Sequence, residues 1–174
     1  MVAPSRSDLI PEKLAPCICQ ANKSPCDLCC DKLCFLDEGI HVVFNPKRKE
    51  VAVAVALDGC VFRDNQMKCD GMFVLSRTGQ IYVLLVELKG SHIDDAFEQI
   101  FYVAEYRQEY SDVISGLARL VPSKRQIIEK SFIVSTGSMN RNDQQKLENA
   151  LGIRPKIITV EKPASAAPDL RQYL

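Results

Sequence analysis

The strongest hydrophobic pattern in the chain is the apolar run from Ile81 to Val86, which is followed at once by charged residues. A short apolar run bounded by glycines predicts a buried strand. Because side chains alternate between the two faces of a strand, Glu87 and Lys89 are expected on the same face. Charged side chains are rare in buried strands unless they are paired or serve a function. The end of this strand is therefore the first candidate for a functional site.

The preceding segment, residues 68–77, predicts an antiparallel partner strand, joined to the first by a short turn at Arg77-Thr78-Gly79. This hairpin brings Asp70 back beside Glu87. Two carboxylates offer the anionic oxygens that Mg²⁺ or Mn²⁺ binds, and Lys89 offers an ammonium group beside a metal-bound water or a phosphate. The hairpin thus predicts a metal site with a neighbouring cation.

The remaining patterns complete an α/β domain. Valine alternates with alanine over residues 51–57, which predicts another strand, and the apolar period becomes helical after Ser91. Further helices and strands follow, including a helix with Asn142 as its predicted cap that stops at Gly152. We expect a mixed central sheet flanked by helices. The predicted units are an N-terminal arm with a Cys-rich helical segment (1–39), the core (40–162) and a tail (163–174).

Composition limits the classes of function. The 174 residues suit one domain, and the 22 basic and 22 acidic residues give no net charge to attract a polyanion. Binding of nucleic acid would depend on a local patch, such as Lys68 and Lys89, or on a partner. The sequence lacks the apolar core of a secretion signal and a membrane-spanning run, which predicts a cytoplasmic protein without a membrane partner.

Eight cysteines are many for an intracellular chain, and six of them lie between Cys17 and Cys34. Ser24 and Pro25 predict the start of a helix that carries a stripe of cysteines. In one interpretation these cysteines pack as small apolar residues. In the other, a metal centre binds Zn²⁺ or an iron–sulfur cluster through four thiolates. Its predicted ligands are Cys17, Cys19, Cys26 and Cys30.

Asp70, sixteen intervening residues and then Glu87-Leu88-Lys89 resemble the core of the PD-(D/E)xK nuclease superfamily. The resemblance covers roughly residues 50–135, and Cys69 stands where the superfamily has proline. It implies a restriction-endonuclease-like fold and a Mg²⁺- or Mn²⁺-dependent nuclease acting on DNA or RNA. The implied metal ligands are Asp70, Glu87 and the Leu88 carbonyl, and Lys89 would act on the attacking water.

The helix after this strand adds a second point of resemblance. Gln99 corresponds to a glutamine in the RecB-like branch of the superfamily, which is followed there by a tyrosine in the pattern Gln-x-x-x-Tyr. Here Val103 occupies the tyrosine position, and Tyr102 precedes it. The resemblance therefore implies a catalytic role for Gln99 and leaves the tyrosine unassigned.

A non-enzymatic function is the alternative. A degenerate nuclease fold with a Cys-bound structural metal could serve as a binding module in a larger assembly, with a protein partner or a second copy. The small size and zero net charge favour such a module. The presence of Asp70, Glu87 and Lys89 together favours an enzyme. Cleavage of nucleic acid would separate the two hypotheses.

Overall fold

The N-terminal part of the chain forms a small antiparallel sheet. The computed structural model describes residues 4–120, 126–161 and 166–174, so the predicted boundary at residues 162 and 163 lies outside the described residues. Two 3-10 helices come first, at Arg6–Leu9 and Glu12–Cys17. The three strands are β1 (Cys29–Asp31), β2 (Cys34–Asp37) and β3 (Ile40–Val43).

The central sheet has five strands in the order β4-β5-β6-β7-β8. The first three are antiparallel and the last three are parallel, which confirms the predicted mixed sheet. Their bounds are Val51–Ala56, Gly71–Arg77, Gln80–Lys89, Gln126–Ser135 and Lys156–Thr159. The helices are α1 (Ile93–Tyr106), α2 (Gln108–Leu120) and α3 (Arg141–Leu151), and a 3-10 helix at Leu170–Tyr173 follows β8.

The predicted hairpin of β5 and β6 is confirmed. Arg77 pairs with Gln80, and Gly79 lies between them with a φ of 77°, a conformation that glycine adopts without steric cost. From Ile81 to Leu88 every residue of β6 is buried, because β5 and β7 flank the strand, and α1 and the small N-terminal sheet pack against it. The charges at the end of β6 therefore enter the protein interior.

The helical segment predicted after Ser91 is α1, and most of its predicted apolar face is buried. The crossover from β6 to the parallel strand β7 contains α1 and α2, as parallel pairing requires. The buried residues of α1 are Ile93, Ala96, Phe97, Ile100 and Val103. In α3, Asn140 and not Asn142 is the cap, because the Asn140 side chain accepts the Asp143 N–H at 2.9 Å. The predicted stop at Gly152 is confirmed by a φ of 71°.

The prediction of a helix in the Cys-rich segment is wrong. Residues 29–37 form β1 and β2, with Asp31 paired with Cys34 across a tight turn. Cysteines three and four residues apart match the period of a helix, but pairing with other strands and disulfide bonds determine the conformation of this segment. The strand β2 pairs with β3 along its whole length, and three disulfides join cysteines of the segment to one another and to Cys60. The Cys-rich segment therefore consists of turns and short strands and not of a helix.

Close packing fixes the small sheet on the central one. A Cβ atom at Gly71 would lie 2.5 Å from the ring of Phe35, so the absence of a side chain at Gly71 lets β2 approach β5. The turn after β2 consequently lies at the end of β6. At the other end of the chain, Leu170 is fully buried and Arg171 pairs with Glu50 at 2.8 Å. Within the described ranges, no helix is both long and apolar enough to cross a membrane.

Candidate functional site

The candidate site lies where β6 extends past the first residue of β5. The pairing of the two strands ends at Gly71 and Val86, so Asp70 stands opposite the last residues of β6. Glu87 and Lys89 point to the face of the sheet that α1 covers. The structure thus brings together Asp70, Glu87 and Lys89, as the sequence predicts.

Backbone amides interlock the two carboxylates. The Leu88 N–H donates to Asp70 Oδ2 at 2.6 Å, and the Asp70 N–H donates to Glu87 Oε2 at 3.0 Å. Each carboxylate is therefore held by the segment that carries the other. The two backbone hydrogen bonds therefore fix both side chains before any ligand binds.

A chain of polar contacts positions Lys89. Its Nζ donates to Gln99 Oε1 at 3.0 Å and lies 3.9 Å from Glu87 Oε1. Gln99 in turn donates through Nε2 to the Lys68 carbonyl at 3.0 Å. Because Nε2 is committed to a carbonyl, Oε1 of Gln99 faces the lysine. The structure therefore places the predicted residue Gln99 in contact with Lys89.

Burial dominates the electrostatics of the pair. Asp70 is 8% exposed and Glu87 is 3% exposed, and loss of solvent raises the pKa of both carboxyl groups above their ordinary values. The neighbouring Asp70 raises the pKa of Glu87 further, whereas Lys89 lowers it. Raised pKa values favour the protonated form of the pair in the metal-free protein, and ionisation of both groups would leave excess negative charge beside one ammonium group. A divalent cation would offset that charge.

Two further acids face the same site and were missed by the sequence analysis. A cavity of about 380 Å³ is lined by Asp70 together with Asp37 and Asp58. Asp37 ends β2 and Asp58 belongs to the loop between β4 and β5, and both raise the pKa of Asp70. Across residues 4–120, 126–161 and 166–174, no three His, Cys, Asp or Glu side chains are arranged as a ready metal site. The acids surround a space without converging on one point.

The predicted cysteine ligands are divided among separate pairs. Cys17 is bonded to Cys60, Cys19 to Cys29 and Cys30 to Cys34, and half-buried Cys26 is a free thiol. A cysteine in a disulfide offers no thiolate to a metal. Three of the four predicted ligands therefore do not fit a zinc or iron–sulfur centre in this form of the protein.

The buried carboxyl of Glu87 predicts a pH-dependent stability. The pKa of Glu87 is raised in the folded state. Its contribution to the free energy of unfolding is therefore fully present below the pKa of the unfolded state, and it is lost as the pH rises towards the pKa of the folded state. In a chelating buffer, Glu87→Gln should therefore gain stability relative to wild type, by about 1.4 kcal/mol for each pH unit in this window. Urea unfolding between pH 5 and 8 measures the difference. A pH-independent difference, or an equal gain in the exposed α1 control Glu98→Gln, would contradict the assignment.

Neither a family model, a curated protein nor a solved structure matches this chain.

Proposed function

We propose that the protein is a metal-dependent nuclease that cleaves phosphodiester bonds of DNA or RNA, with a restriction-endonuclease-like arrangement of its core. The observation that supports this function best is the interlocked pair of Asp70 and Glu87 with Lys89 beside it, at the open end of a β hairpin. Buried acids beside a positioned lysine are costly to maintain without a ligand.

The donor set suits Mg²⁺ or Mn²⁺. Carboxylate oxygens are the ligands that these hard cations prefer, and Asp70 and Glu87 would hold the ion. The N–H and C=O of one strand residue point to the same edge of the strand, so the Leu88 carbonyl faces the Asp70 side, as its N–H does. That carbonyl is a suitable third ligand. When bound, the cation supplies a more acidic water and stabilises the charge that develops on the phosphoryl oxygens.

The chain itself supplies the second cation. The Lys89 ammonium has donors left after its bond to Gln99, and it can donate to the attacking water or to a phosphate oxygen. Gln99 acts through Lys89, so it is a positioning residue. The bond from Gln99 to the Lys68 carbonyl couples this arrangement to the loop between β4 and β5.

A partner completes the proposal. The net charge is zero and the surroundings of the site include Asp37 and Asp58, so the chain alone offers a polyanion little attraction. We propose that a protein partner or a second copy provides positive surface within a nucleic-acid-processing assembly. In the alternative, the same fold is a non-catalytic module of that assembly.

A cleavage assay tests the function directly. Labelled single-stranded and duplex DNA and RNA are incubated with the protein in Mg²⁺, Mn²⁺ or a chelator. We expect cleavage in either metal and none in the chelator, because carboxylates alone cannot stabilise phosphoryl displacement. Cleavage that persists in the chelator contradicts the proposed mechanism. Intact substrate in every condition, with specific binding retained, favours the binding module.

A further inference from the structure

An aromatic cluster with one exposed and two half-buried rings lies at the end of α1, on the helix that carries Gln99. Its members are Phe101, Tyr102 and Tyr106. The ring centroids of Tyr102 and Tyr106 are 5.3 Å apart, and those of Phe101 and Tyr106 are 5.9 Å apart with an edge-to-face geometry. Tyr106 is 65% exposed. The exposed part of Tyr106 offers aromatic surface that a ligand could cover.

The cluster is held in place by the loop at residues 57–70. The Tyr102 hydroxyl donates to Gln66 at 3.2 Å. One residue beyond Tyr106, the guanidinium of Arg107 is buried, packs 4.0 Å from the centre of the Phe62 ring and binds Asp64 with two bonds of 2.9 Å. These contacts fix the end of α1. A fixed ring costs less conformational entropy when a ligand binds than a mobile one.

The helix links the cluster to the candidate catalytic group. Gln99, Tyr102 and Tyr106 follow one another at intervals of three and four residues, so they lie along one side of α1. At 1.5 Å per residue, Tyr106 is about 10 Å along the helix from Gln99. That distance is about three nucleotides of a stacked strand. A strand that has one phosphate beside Lys89 and runs along α1 would therefore reach these rings within about three nucleotides.

The local charge argues against a duplex on this surface. Asp94, Asp95 and Glu98 are exposed on α1, and Asp37 and Asp58 lie at the neighbouring cavity. Lys68 is paired with Asp58 at 3.0 Å. A duplex carries two phosphate backbones, which the local acids repel, and its base faces are stacked inside. A single strand carries one phosphate backbone and exposes its base faces. Stacking then supplies affinity that the local charges do not.

We propose, building on the nuclease function, that Tyr102 and Tyr106 form a base-stacking surface and that the substrate is a single-stranded nucleic acid. The strand runs along α1 with its bases against the tyrosine rings and its scissile phosphate beside Lys89. Because stacking is tolerant of base identity, recognition has little sequence preference.

Binding in the absence of cleavage tests this inference. Fluorescence anisotropy is measured in a chelating buffer with a labelled twelve-nucleotide DNA strand, the same strand as a duplex, and a strand of equal length whose sites are all abasic. The variants are Tyr106→Ala and Tyr106→Phe. Leu120→Ala is the control, because Leu120 is also exposed and apolar but ends α2 beside the N-terminal segment.

We expect the single strand to bind wild type more tightly than the duplex does. Tyr106→Ala should lose between about 5-fold and 100-fold in affinity for the single strand, and Tyr106→Phe and Leu120→Ala should stay within about twofold of wild type. The abasic strand should not distinguish Tyr106→Ala from wild type. Unchanged binding by Tyr106→Ala, equal or tighter duplex binding, or an equal loss on the abasic strand would overturn the inference.

The binding results are independent of the cleavage results. A protein that shows the expected stacking signature but cleaves nothing retains the single-strand surface and refutes the nuclease function. A protein that cleaves duplex and single strand alike, with no effect of Tyr106→Ala on either binding or rate, retains the nuclease function and refutes the stacking surface.

Discussion

Lys89→Ala is expected to lower the rate of phosphodiester cleavage by about 10²- to 10⁴-fold while the protein still binds Mn²⁺. The ammonium group lies 3.0 Å from Gln99 Oε1 and is only partly exposed, so solvent cannot replace it in the same place. The substitution leaves both carboxylates and their backbone donors intact. Single-turnover cleavage measures the rate, and calorimetric titration measures the metal affinity.

The carboxylate variants should behave differently from the lysine variant. Asp70→Asn and Glu87→Gln keep the acceptors for the Leu88 and Asp70 amides but remove the negative charge, so both metal affinity and rate should fall. Lys146→Ala is the matched control for Lys89→Ala, because the exposed ammonium group of Lys146 pairs with Asp143 on α3, outside the candidate site. Undiminished cleavage by Asp70→Ala or Glu87→Ala protein would refute the assignment of the site.

The local parts of the site could be predicted from the sequence. Alternation along β6 places Glu87 and Lys89 on one face, and the turn at Gly79 fixes the register that returns Asp70 to them. Gln99 lies in the second turn of α1, and a helix that covers the end of a strand brings that turn to the strand's last residues. These inferences need only the periodicity of apolar residues, the residue types that favour turns, and the short connections between neighbouring elements.

The non-local parts could not be predicted in the same way. Asp37 and Asp58 reach the cavity because Phe35 packs on Gly71 and the β4–β5 loop folds over the sheet. Neither acid belongs to a periodic pattern. The dipeptides Glu38-Gly39 and Asp58-Gly59 mark turns, and the positive φ of Glu38 confirms a tight one. Those turn signals show where a chain reverses but not what it approaches.

The Cys-rich segment shows how a local period can mislead. The spacing of Cys26, Cys29 and Cys30 fits a helical stripe, yet Cys29 is buried and Cys30 is exposed in adjacent strand positions. The pairing of Cys17 with Cys60 spans 43 residues and carries no local signal. A metal centre and a set of disulfides can therefore share one cysteine pattern.

Removing the Cys17–Cys60 disulfide is expected to lower the free energy of unfolding by about 4 kcal/mol, the largest effect among the three disulfides. A crosslink restricts the unfolded chain more when the closed loop is longer, and this loop spans 43 residues. For Cys30–Cys34, which spans 4 residues, the expected loss is about 2 kcal/mol. Urea unfolding without reductant measures the variants Cys17→Ser/Cys60→Ser and Cys30→Ser/Cys34→Ser. Repeating the series in reductant subtracts the cost of the serines themselves.

Thiol titration distinguishes disulfide-bonded cysteines from metal-binding thiolates. Protein purified without reductant and then denatured should show two free thiols, those of Cys26 and Cys69. Eight free thiols together with stoichiometric zinc or iron would instead support the metal centre and remove the basis of the stability prediction.

Cys60 also lies on the 57–70 loop, which carries Asp58 and holds Gln99 through the Lys68 carbonyl. A loss of stability after reduction should therefore be accompanied by faster amide exchange in this loop than in α3, because α3 contains no cysteine.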